Sequence, residues 1–152
     1  MNIDLLIGSD HRGYELKEQI EKHIVPIDKD IELNGLTLYG DVGPYDKKTK
    51  VDYPDIVKKM VLDMKTSFNR GILICGSGFG VCMAANRFPH IRAVTVRTKQ
   101  EAVMARKHND ANVLCLGADF THKNIAFDIV DAFLKTPFEG GRHQKRLDKF
   151  NV

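Results

Sequence analysis

The sequence contains no long apolar segment and few cysteines, and these absences exclude several classes of protein. No run of apolar residues approaches the roughly 20 that a membrane-spanning helix needs. The first residues, Met1–Asp4, lack the basic segment and the long apolar run of a signal peptide. Three cysteines, an odd number, do not make a disulfide framework. We therefore expect a cytoplasmic protein in a reducing compartment, with no membrane as its partner.

Excess charge of one sign is also scarce. The net charge of +3, with 28% of residues charged, is too small to indicate nucleic acid as a partner. Basic residues nevertheless gather near the C-terminus, at Arg142, Lys145 and Arg146. Such a segment is either a solvated end of the chain or a contact for a small anion.

Short apolar runs alternate with helix-period segments along the whole chain. The 152 residues, 43% of them hydrophobic, suit a single domain, which we place at 1–152. The predicted strands are Ile3–Ile7, Leu36–Tyr39, Ile72–Cys75, Ala93–Val96 and Val113–Leu116. The segments with a helical apolar face are Leu16–Ile24, Val57–Met64, Val81–Arg87, Gln100–His108 and Ile125–Phe133.

Five strand–helix units in series predict an α/β fold, in which a parallel sheet carries helices on both faces. A short C-terminal helix follows the break at Glu139–Gly141, and Arg142 and Arg146 share one face of it. The polar residues 25–50 are predicted to form an extended connection. Parallel sheets bind ligands at the carboxyl ends of their strands, where residues after the first and third strands would meet.

The segment Gly71–Gly80 carries the strongest chemical signal. Its apolar strand ends on Cys75, and alternate glycines, at positions 76, 78 and 80, lead into the next predicted helix. Backbone N–H groups at a helix N-terminus stabilise a thiolate and a nearby oxyanion or phosphate. Cys75 is therefore either a reactive thiol beside an anion cradle or a small buried residue that ends a strand.

Familiar glycine-loop motifs do not fit this segment. A Walker loop ends in Gly-Lys-Ser/Thr, whereas Gly80 is followed by Val81 and Cys82. The dinucleotide fingerprint needs a small residue where Val81 stands, and a cysteine-dependent phosphatase loop would need an arginine there. We therefore expect no nucleotide cofactor.

Two histidines adjoin predicted strands. His11 follows Asp10 directly after the first strand, and His108 ends a helix just before the fifth. Each is either an ordinary surface residue or a proton-transfer group, because loops at strand ends carry function in such folds. No pair of residues has the spacing of a zinc site, so no metal is expected.

Several segments, in order along the chain, resemble one family. They are Gly8-Ser9-Asp10-His11, Val51-Asp52-Tyr53-Pro54-Asp55, Gly71–Gly80, Ala84-Ala85-Asn86, His108–Leu114 and Glu139-Gly140-Gly141-Arg142-His143. They are similar to the motifs of ribose-5-phosphate isomerase type B. The wider group also holds galactose-6-phosphate and allose-6-phosphate isomerases.

The resemblance implies a Rossmann-like homodimer, or a dimer of dimers, with the active site between subunits. It implies a cofactor-free enzyme of the pentose phosphate pathway that interconverts ribose 5-phosphate and ribulose 5-phosphate. Cys75 falls on the family's base, and His108 on the group that opens the sugar ring. The substrate-binding positions are Asp10, His11, Gly76, Ser77, Gly78, Phe79, Gly80, Asn109, Arg142 and Arg146. Among these, Gly76–Gly80 correspond to an anion hole and the two arginines to phosphate contacts.

The chain departs from the family's pattern in four places. Ser77 stands where threonine is usual, which keeps the hydroxyl. Asp119 occupies a position that is commonly arginine, and Arg12 replaces a usually small residue. The connection at 25–50 is longer than usual. These departures leave a six-carbon sugar phosphate open as substrate, and a non-catalytic sugar-phosphate sensor is the alternative outside enzymes.

Overall fold

The computed structural model describes residues 3–25 and 36–150, which form a five-stranded parallel sheet covered by helices. The strands are β1 (Ile3–Ser9), β2 (Leu36–Asp41), β3 (Arg70–Cys75), β4 (Ala93–Thr95) and β5 (Val113–Gly117). They lie across the sheet in the order β2-β1-β3-β5-β4, and every neighbouring pair is parallel. The predicted α/β class with a Rossmann-like parallel sheet is confirmed.

Six helices are present in the described residues. They are α1 (Tyr14–Ile24), α2 (Tyr53–Asp63), α3 (Phe79–Ala85), α4 (Lys99–Asn109), α5 (Lys123–Lys135) and α6 (Arg142–Leu147). The predicted helices are confirmed, although α3 begins two residues earlier than its apolar pattern indicated. Within the described ranges, no helix has the length and apolar character that crossing a membrane requires.

The segment predicted as an extended connection, 25–50, is partly a strand. Within it, β2 pairs with β1 along Leu36–Asp41, so the strand predicted at Leu36–Tyr39 is confirmed and the prediction of an extended connection is wrong for these residues. Because β2 is an edge strand with partly exposed side chains, the surrounding polar residues obscure its pattern. Residues 26–35 of the segment lie outside the described residues.

The apolar runs of the inner strands are continuous because these strands are buried on both faces. In β3, Ile72 and Ile74 join a core beneath α1, α4 and α5, whereas Leu73 and Cys75 join a second core beneath α2 and α3. Burial of one Leu or Ile side chain contributes about 1.5–3 kcal/mol. Packing as well as strand pairing therefore fixes Cys75 at the end of β3.

Helix α4 carries the chain back to the amino ends of the strands. Asp110 follows its last residue, and the left-handed φ of 44° at Asp110 closes the helix. The N–H of Asn112 then donates to the carbonyl of Arg92 at 3.0 Å, which joins the residues that precede β5 and β4. His108 consequently lies near the amino edge of the sheet, whereas Cys75 lies at the carboxyl edge.

A buried lysine ties α1 to the end of β2. The side chain of Lys17 has no exposed surface, and its Nζ pairs with Asp41 and lies 3.4 Å from carboxylate oxygens of Glu18 and Glu21. Burial by itself lowers the pKa of Lys17, but the hydrogen bond to Asp41 and the surrounding negative charges outweigh it, so the pKa is raised. Lys17 therefore remains charged in the folded protein.

Candidate active site

The thiol of Cys75 is held inside the glycine loop. The residue is 4% exposed, and its Sγ accepts the backbone N–H of Gly78 at 3.1 Å. Gly78 reaches back to the sulfur because its φ is +80°, a left-handed conformation that residues with side chains rarely adopt. The alternate glycines thus wrap the backbone around the thiol before the seven-residue helix α3 begins.

Hydrogen bonds at both ends fix the shape of this loop. Ser77 Oγ accepts the N–H of Phe79 at 3.2 Å, so the hydroxyl kept at this position stabilises the turn into α3. Thr95 Oγ1, at the end of β4, donates to the carbonyl of Gly78 at 2.9 Å. The loop is therefore rigidly placed before any ligand binds.

The segment after β5 supports the other side of the loop. The N–H of Ala118 donates to the carbonyl of Cys75 at 2.9 Å, and the N–H of Asp119 donates to the carbonyl of Gly76 at 3.0 Å. These bonds extend the pairing of β3 with β5 beyond the sheet. Position 119 is thereby held directly beside the first glycine of the loop.

Asp10 shapes the loop that follows β1. The residue is buried, and its N–H donates to the carbonyl of Ile74 at 3.0 Å. Its Oδ1 accepts the N–H groups of Arg12 and Gly13, both at 2.9 Å. One carboxylate oxygen is thus engaged by the backbone, and the loop is fixed next to the end of β3.

His11 and Tyr53 close a further side of the carboxyl edge. His11 is exposed, and its Nδ1 lies 3.2 Å from the carbonyl oxygen of Val51. The Tyr53 ring lies so close to Gly80 that a Cβ built on this glycine would be 2.8 Å from the Cζ atom. Gly80 therefore permits close packing of α2 against the start of α3.

Exposed apolar side chains surround the glycine loop. Phe79 is 47% exposed, Phe120 65% and Met83 67%. The guanidinium carbon of Arg97 lies 5.7 Å from the ring centroids of both phenylalanines. Large exposed apolar groups of this kind are typical of a surface that another molecule covers.

A second set of polar residues lies around the end of α4. The rings of His108 and His143 are stacked, with centroids 4.3 Å apart and 8° between their planes. Glu139 Oε2 lies 4.0 Å from His108 Nε2 and 3.7 Å from His143 Nε2. His143 is 5% exposed, and its Nε2 makes no hydrogen bond within the described residues.

The predicted phosphate contacts belong to the same set. Arg142 and Arg146 are both exposed and lie one turn apart on α6, which packs against α4. Burial and the nearby positive groups His108, Arg142 and Arg146 lower the pKa of His143. Asn109 is the last residue of α4 and lies beside this cluster.

The trio His108, Glu139 and His143 offers ligand atoms within 4.8 Å of one another, which invites comparison with a metal centre. The two rings lie in nearly parallel planes 8° apart and are stacked face to face. A metal ion must lie close to the plane of each imidazole that binds it, and with stacked rings 4.3 Å apart no point within bonding distance of both lies in both planes. The two rings are therefore stacked on each other rather than arranged for joint metal ligation.

The two sets of predicted residues lie at opposite edges of the sheet. Cys75 pairs with Gly117 at the carboxyl end of β5, whereas His108 and Asn109 precede its amino end at Val113. A five-residue strand at about 3.3 Å per residue separates the two edges by roughly 13 Å. One chain therefore brings together Asp10, His11 and the 75–80 loop, and separately His108, Asn109 and the two arginines, but not the two sets.

A second thiol lies close to the loop, and the sequence analysis did not single it out. The pKa of Cys82 is lowered to about 6, chiefly by a hydrogen bond with Cys115 and further by Thr95 and Asn86. Burial raises the pKa of Cys115 itself.

Sequence reasoning also missed the stacking of His143 on His108 and the contact of Arg12 with Asp119, because each depends on three-dimensional proximity.

Comparison with known proteins identifies the family. A model of the Ribose/Galactose Isomerase family matches residues 5–150. The probable ribose-5-phosphate isomerase B of Mycoplasma genitalium is 42% identical over 151 residues, covering 98% of this chain and 94% of that protein. The structure of Clostridium thermocellum ribose-5-phosphate isomerase B has a TM-score of 0.87 at 40% identity, over 97% of this chain and 94% of that one.

A structure of ribose-5-phosphate isomerase B from Mycoplasma genitalium with bound ribulose-5-phosphate has a TM-score of 0.85 at 40% identity, over 98% of this chain and 94% of that one. The parallel sheet and these likenesses define an isomerase of the α/β class. The chain belongs to the Ribose/Galactose Isomerase family. The resemblance inferred from the sequence motifs is confirmed.

Proposed function

We propose that this protein interconverts ribose 5-phosphate and ribulose 5-phosphate, as a cofactor-free step of the pentose phosphate pathway. The observation that supports this most directly is the relative whose structure holds ribulose-5-phosphate, since it matches nearly the whole chain at 40% identity. The buried thiol inside a glycine loop is the second support, because the reaction needs a base beside fixed hydrogen-bond donors.

Aldose–ketose exchange moves a proton between C1 and C2 and develops negative charge on two neighbouring oxygens. Cys75 acts as the base: its thiolate takes the proton from C2 of the open-chain aldose and returns it to C1. The hydroxyl proton on O2 passes to O1 in the enediolate, so that C2 becomes the carbonyl carbon as C1 receives the proton. The C2–H electrons form the C1–C2 double bond as the carbonyl oxygen becomes an enediolate oxygen. Backbone N–H groups of the 76–80 loop stabilise that oxygen, other than those of Gly78 and Phe79, which bond to Cys75 Sγ and Ser77 Oγ. One such donor is worth about 2.7–4 kcal/mol in a water-poor site.

The residues near the end of α4 act on the rest of the sugar. His108 protonates the ring oxygen as the bond from C1 to that oxygen breaks and the C1 hydroxyl gives its proton to water, which leaves the C1 carbonyl. On closure these proton transfers run in reverse. Asn109 binds a sugar hydroxyl. Arg142 and Arg146, one turn apart, bind the phosphate through charge-assisted hydrogen bonds.

The site forms between two copies of the chain. Because Cys75 and His108 lie at opposite edges of one sheet, a sugar in contact with both must lie between copies. Each copy supplies its glycine loop, Asp10 and His11 to one site, and its His108 and arginines to the other. The exposed side chains of Phe79 and Phe120 beside the loop suit a surface covered by the second copy.

A kinetic comparison tests this function. We expect kcat/KM for ribose 5-phosphate to exceed that for allose 6-phosphate and galactose 6-phosphate, with turnover in both directions. Unphosphorylated ribose is the control for the phosphate contacts. A clear preference for either hexose phosphate would assign a different substrate, and binding of all these sugars without turnover would indicate a sensor rather than an enzyme.

A further inference from the structure

Two side chains that depart from the family's pattern lie against each other. Arg12, at a usually small position, forms an ion pair through Nη2 with Oδ2 of Asp119, at a commonly basic position. They are 107 residues apart in the chain. The ion pair places the positive charge of Arg12, from the loop after β1, at the carboxyl edge beside the segment that follows β5.

The guanidinium of Arg12 lies directly over the glycine loop. A Cβ built on Gly76 would be 2.9 Å from the guanidinium carbon, 3.0 Å from Nε and 3.1 Å from Nη1. Gly76 immediately follows Cys75, and its carbonyl is bonded to the N–H of Asp119. The ion pair is therefore part of the loop's surroundings rather than an isolated surface contact.

The pair is poorly explained as a stabilising device. The Arg12 side chain is 59% exposed and that of Asp119 is 43% exposed. Ion pairs this exposed contribute little to stability, because water and salt screen them. Arginine has five N–H donors, and the bond to Asp119 uses one of them; the Arg12 guanidinium makes no other side-chain hydrogen bond within the described residues.

We propose that Arg12 is a phosphate-binding residue of this enzyme and that Asp119 is the positioning residue that holds its guanidinium. The inference rests on the proposed function and extends it to a residue at which this chain departs from its family. A charged, solvated phosphate fits an exposed guanidinium, whereas the uncharged reacting carbons belong at Cys75, which is 4% exposed. Arg12 then contacts the phosphate from the side of the glycine loop, opposite Arg142 and Arg146 of the second copy.

Moving the arginine tests the proposal. Arg12→Ala/Asp119→Ala removes both charges, and we expect it to raise KM for ribose 5-phosphate and the inhibition constant of inorganic phosphate in parallel, about tenfold or more. We expect kcat to stay within about twofold, because the contact is made in ground state and transition state alike. Arg12→Ala/Asp119→Arg supplies a guanidinium from the other loop without any ion pair, and should return both constants toward the parent values.

Asp119 has its own test as a positioning residue. Asp119→Asn should weaken the binding of inorganic phosphate, but less than the loss of Arg12 does. Asp119→Glu keeps the negative charge and should bind inorganic phosphate with nearly the affinity of the parent protein. Thermal unfolding checks that each variant is folded. If a variant with Arg12→Ala does not fold, Arg12→Met takes its place, because methionine keeps the aliphatic part of the side chain.

Two outcomes would overturn the proposal: unchanged phosphate affinity in Arg12→Ala/Asp119→Ala, or no gain from arginine over alanine at position 119. Calorimetric titration with inorganic phosphate measures this affinity without turnover. A parent protein that binds phosphate through Arg12 but isomerises no pentose phosphate would disprove the proposed function alone. A parent that isomerises ribose 5-phosphate while its Arg12 variants bind phosphate normally would disprove this assignment alone.

Discussion

Cys75 and Cys82 are close in the chain, but they differ in the position of the thiol and in its pKa. Cys82 has the lowered pKa, about 6, whereas Cys75 has the position, at a strand end with a backbone N–H donated to its sulfur. Thiolate content alone does not make a base useful, because the sulfur must also reach the substrate's carbon within a hydrogen-bond distance. Its position therefore favours Cys75 as the catalytic base, whereas the lowered pKa favours Cys82.

Removing each thiol separately distinguishes the two. We expect Cys75→Ala to lower kcat about 10²–10⁴-fold, the range for loss of a general base, with an unchanged fold. Exchange of the C2 proton with deuterated solvent should disappear in the same variant. Cys82→Ala is the matched control and should isomerise at nearly the parent rate. Exchange that survives in Cys75→Ala and is lost in Cys82→Ala would transfer the role to Cys82.

The lowered pKa of His143 should make the free energy of unfolding depend on pH. Its pKa is lowered by burial first and then by His108, Arg142 and Arg146, against an opposing effect of Glu139. The unfolded chain takes up this proton near the ordinary histidine pKa of about 6.5, and the folded chain only at lower pH. Between these values the unfolded state binds more protons, so the free energy of unfolding falls as the pH drops below about 6.5.

The variant His143→Phe keeps an aromatic ring for stacking but cannot titrate. We expect its urea midpoint to depend less on pH than that of the parent between pH 7.5 and 5.0. Equal slopes for the two proteins would show that another group titrates in this interval.

At the scale of elements, the interior strands and the helices could be predicted because burial on one or both faces leaves a periodic pattern. Leu73 and Ile74 point to opposite cores, so β3 reads as a continuous apolar run. The apolar period places the start of α3 two residues too late, because Phe79 is exposed and does not belong to that period. The left-handed backbone of Gly78, which ends the loop, leaves no apolar pattern in the sequence either. For the edge strand β2, the sequence predicts Leu36–Tyr39 but not the last two residues, because the partly exposed side chains of this strand leave a weak apolar pattern.

The buried pair of Lys17 and Asp41 joins two elements, and its loss should be costly. Asp41→Asn leaves the fully buried ammonium with only Glu18 and Glu21 at 3.4 Å. We expect the free energy of unfolding to fall by about 3 kcal/mol, the lower end for breaking a buried pair.

Chemical denaturation measures this change, and the exposed pair of Lys47 with Glu15 supplies the control. Glu15→Gln should leave the denaturation midpoint unchanged, because the side chains of that pair are 71% and 66% exposed to water. A loss in Asp41→Asn no larger than in the control would show that the remaining carboxylates compensate fully.

At the scale of the whole molecule, the sequence motifs indicated the residues of the candidate site but not their distribution over the sheet. Cys75 is the last residue of a strand and His108 precedes a strand, so chain direction alone puts them at opposite edges once the strands are known to be parallel. The meeting of Arg12 with Asp119 could not be predicted in this way. It depends on two loops that become neighbours only when β1, β3 and β5 assemble.

A site shared between copies predicts complementation between two inactive variants. In a mixed dimer of Cys75→Ala and His108→Asn, one site receives Cys75 from one chain and His108 from the other, and the second site receives neither. Random exchange of subunits makes half of the dimers mixed, each with one intact site of two. We therefore expect about a quarter of the parent activity toward ribose 5-phosphate.

The control is a mixture of Cys75→Ala with the double variant Cys75→Ala/His108→Asn, in which no site can contain a thiol base. Subunits are exchanged by refolding the chains together, and the dimer is verified by light scattering. If both residues served one site within a single chain, mixed dimers would be as inactive as their parents, because every chain carries one defect. Recovery in the first mixture and none in the second would require that the thiol of one copy and the histidine of another act on the same sugar.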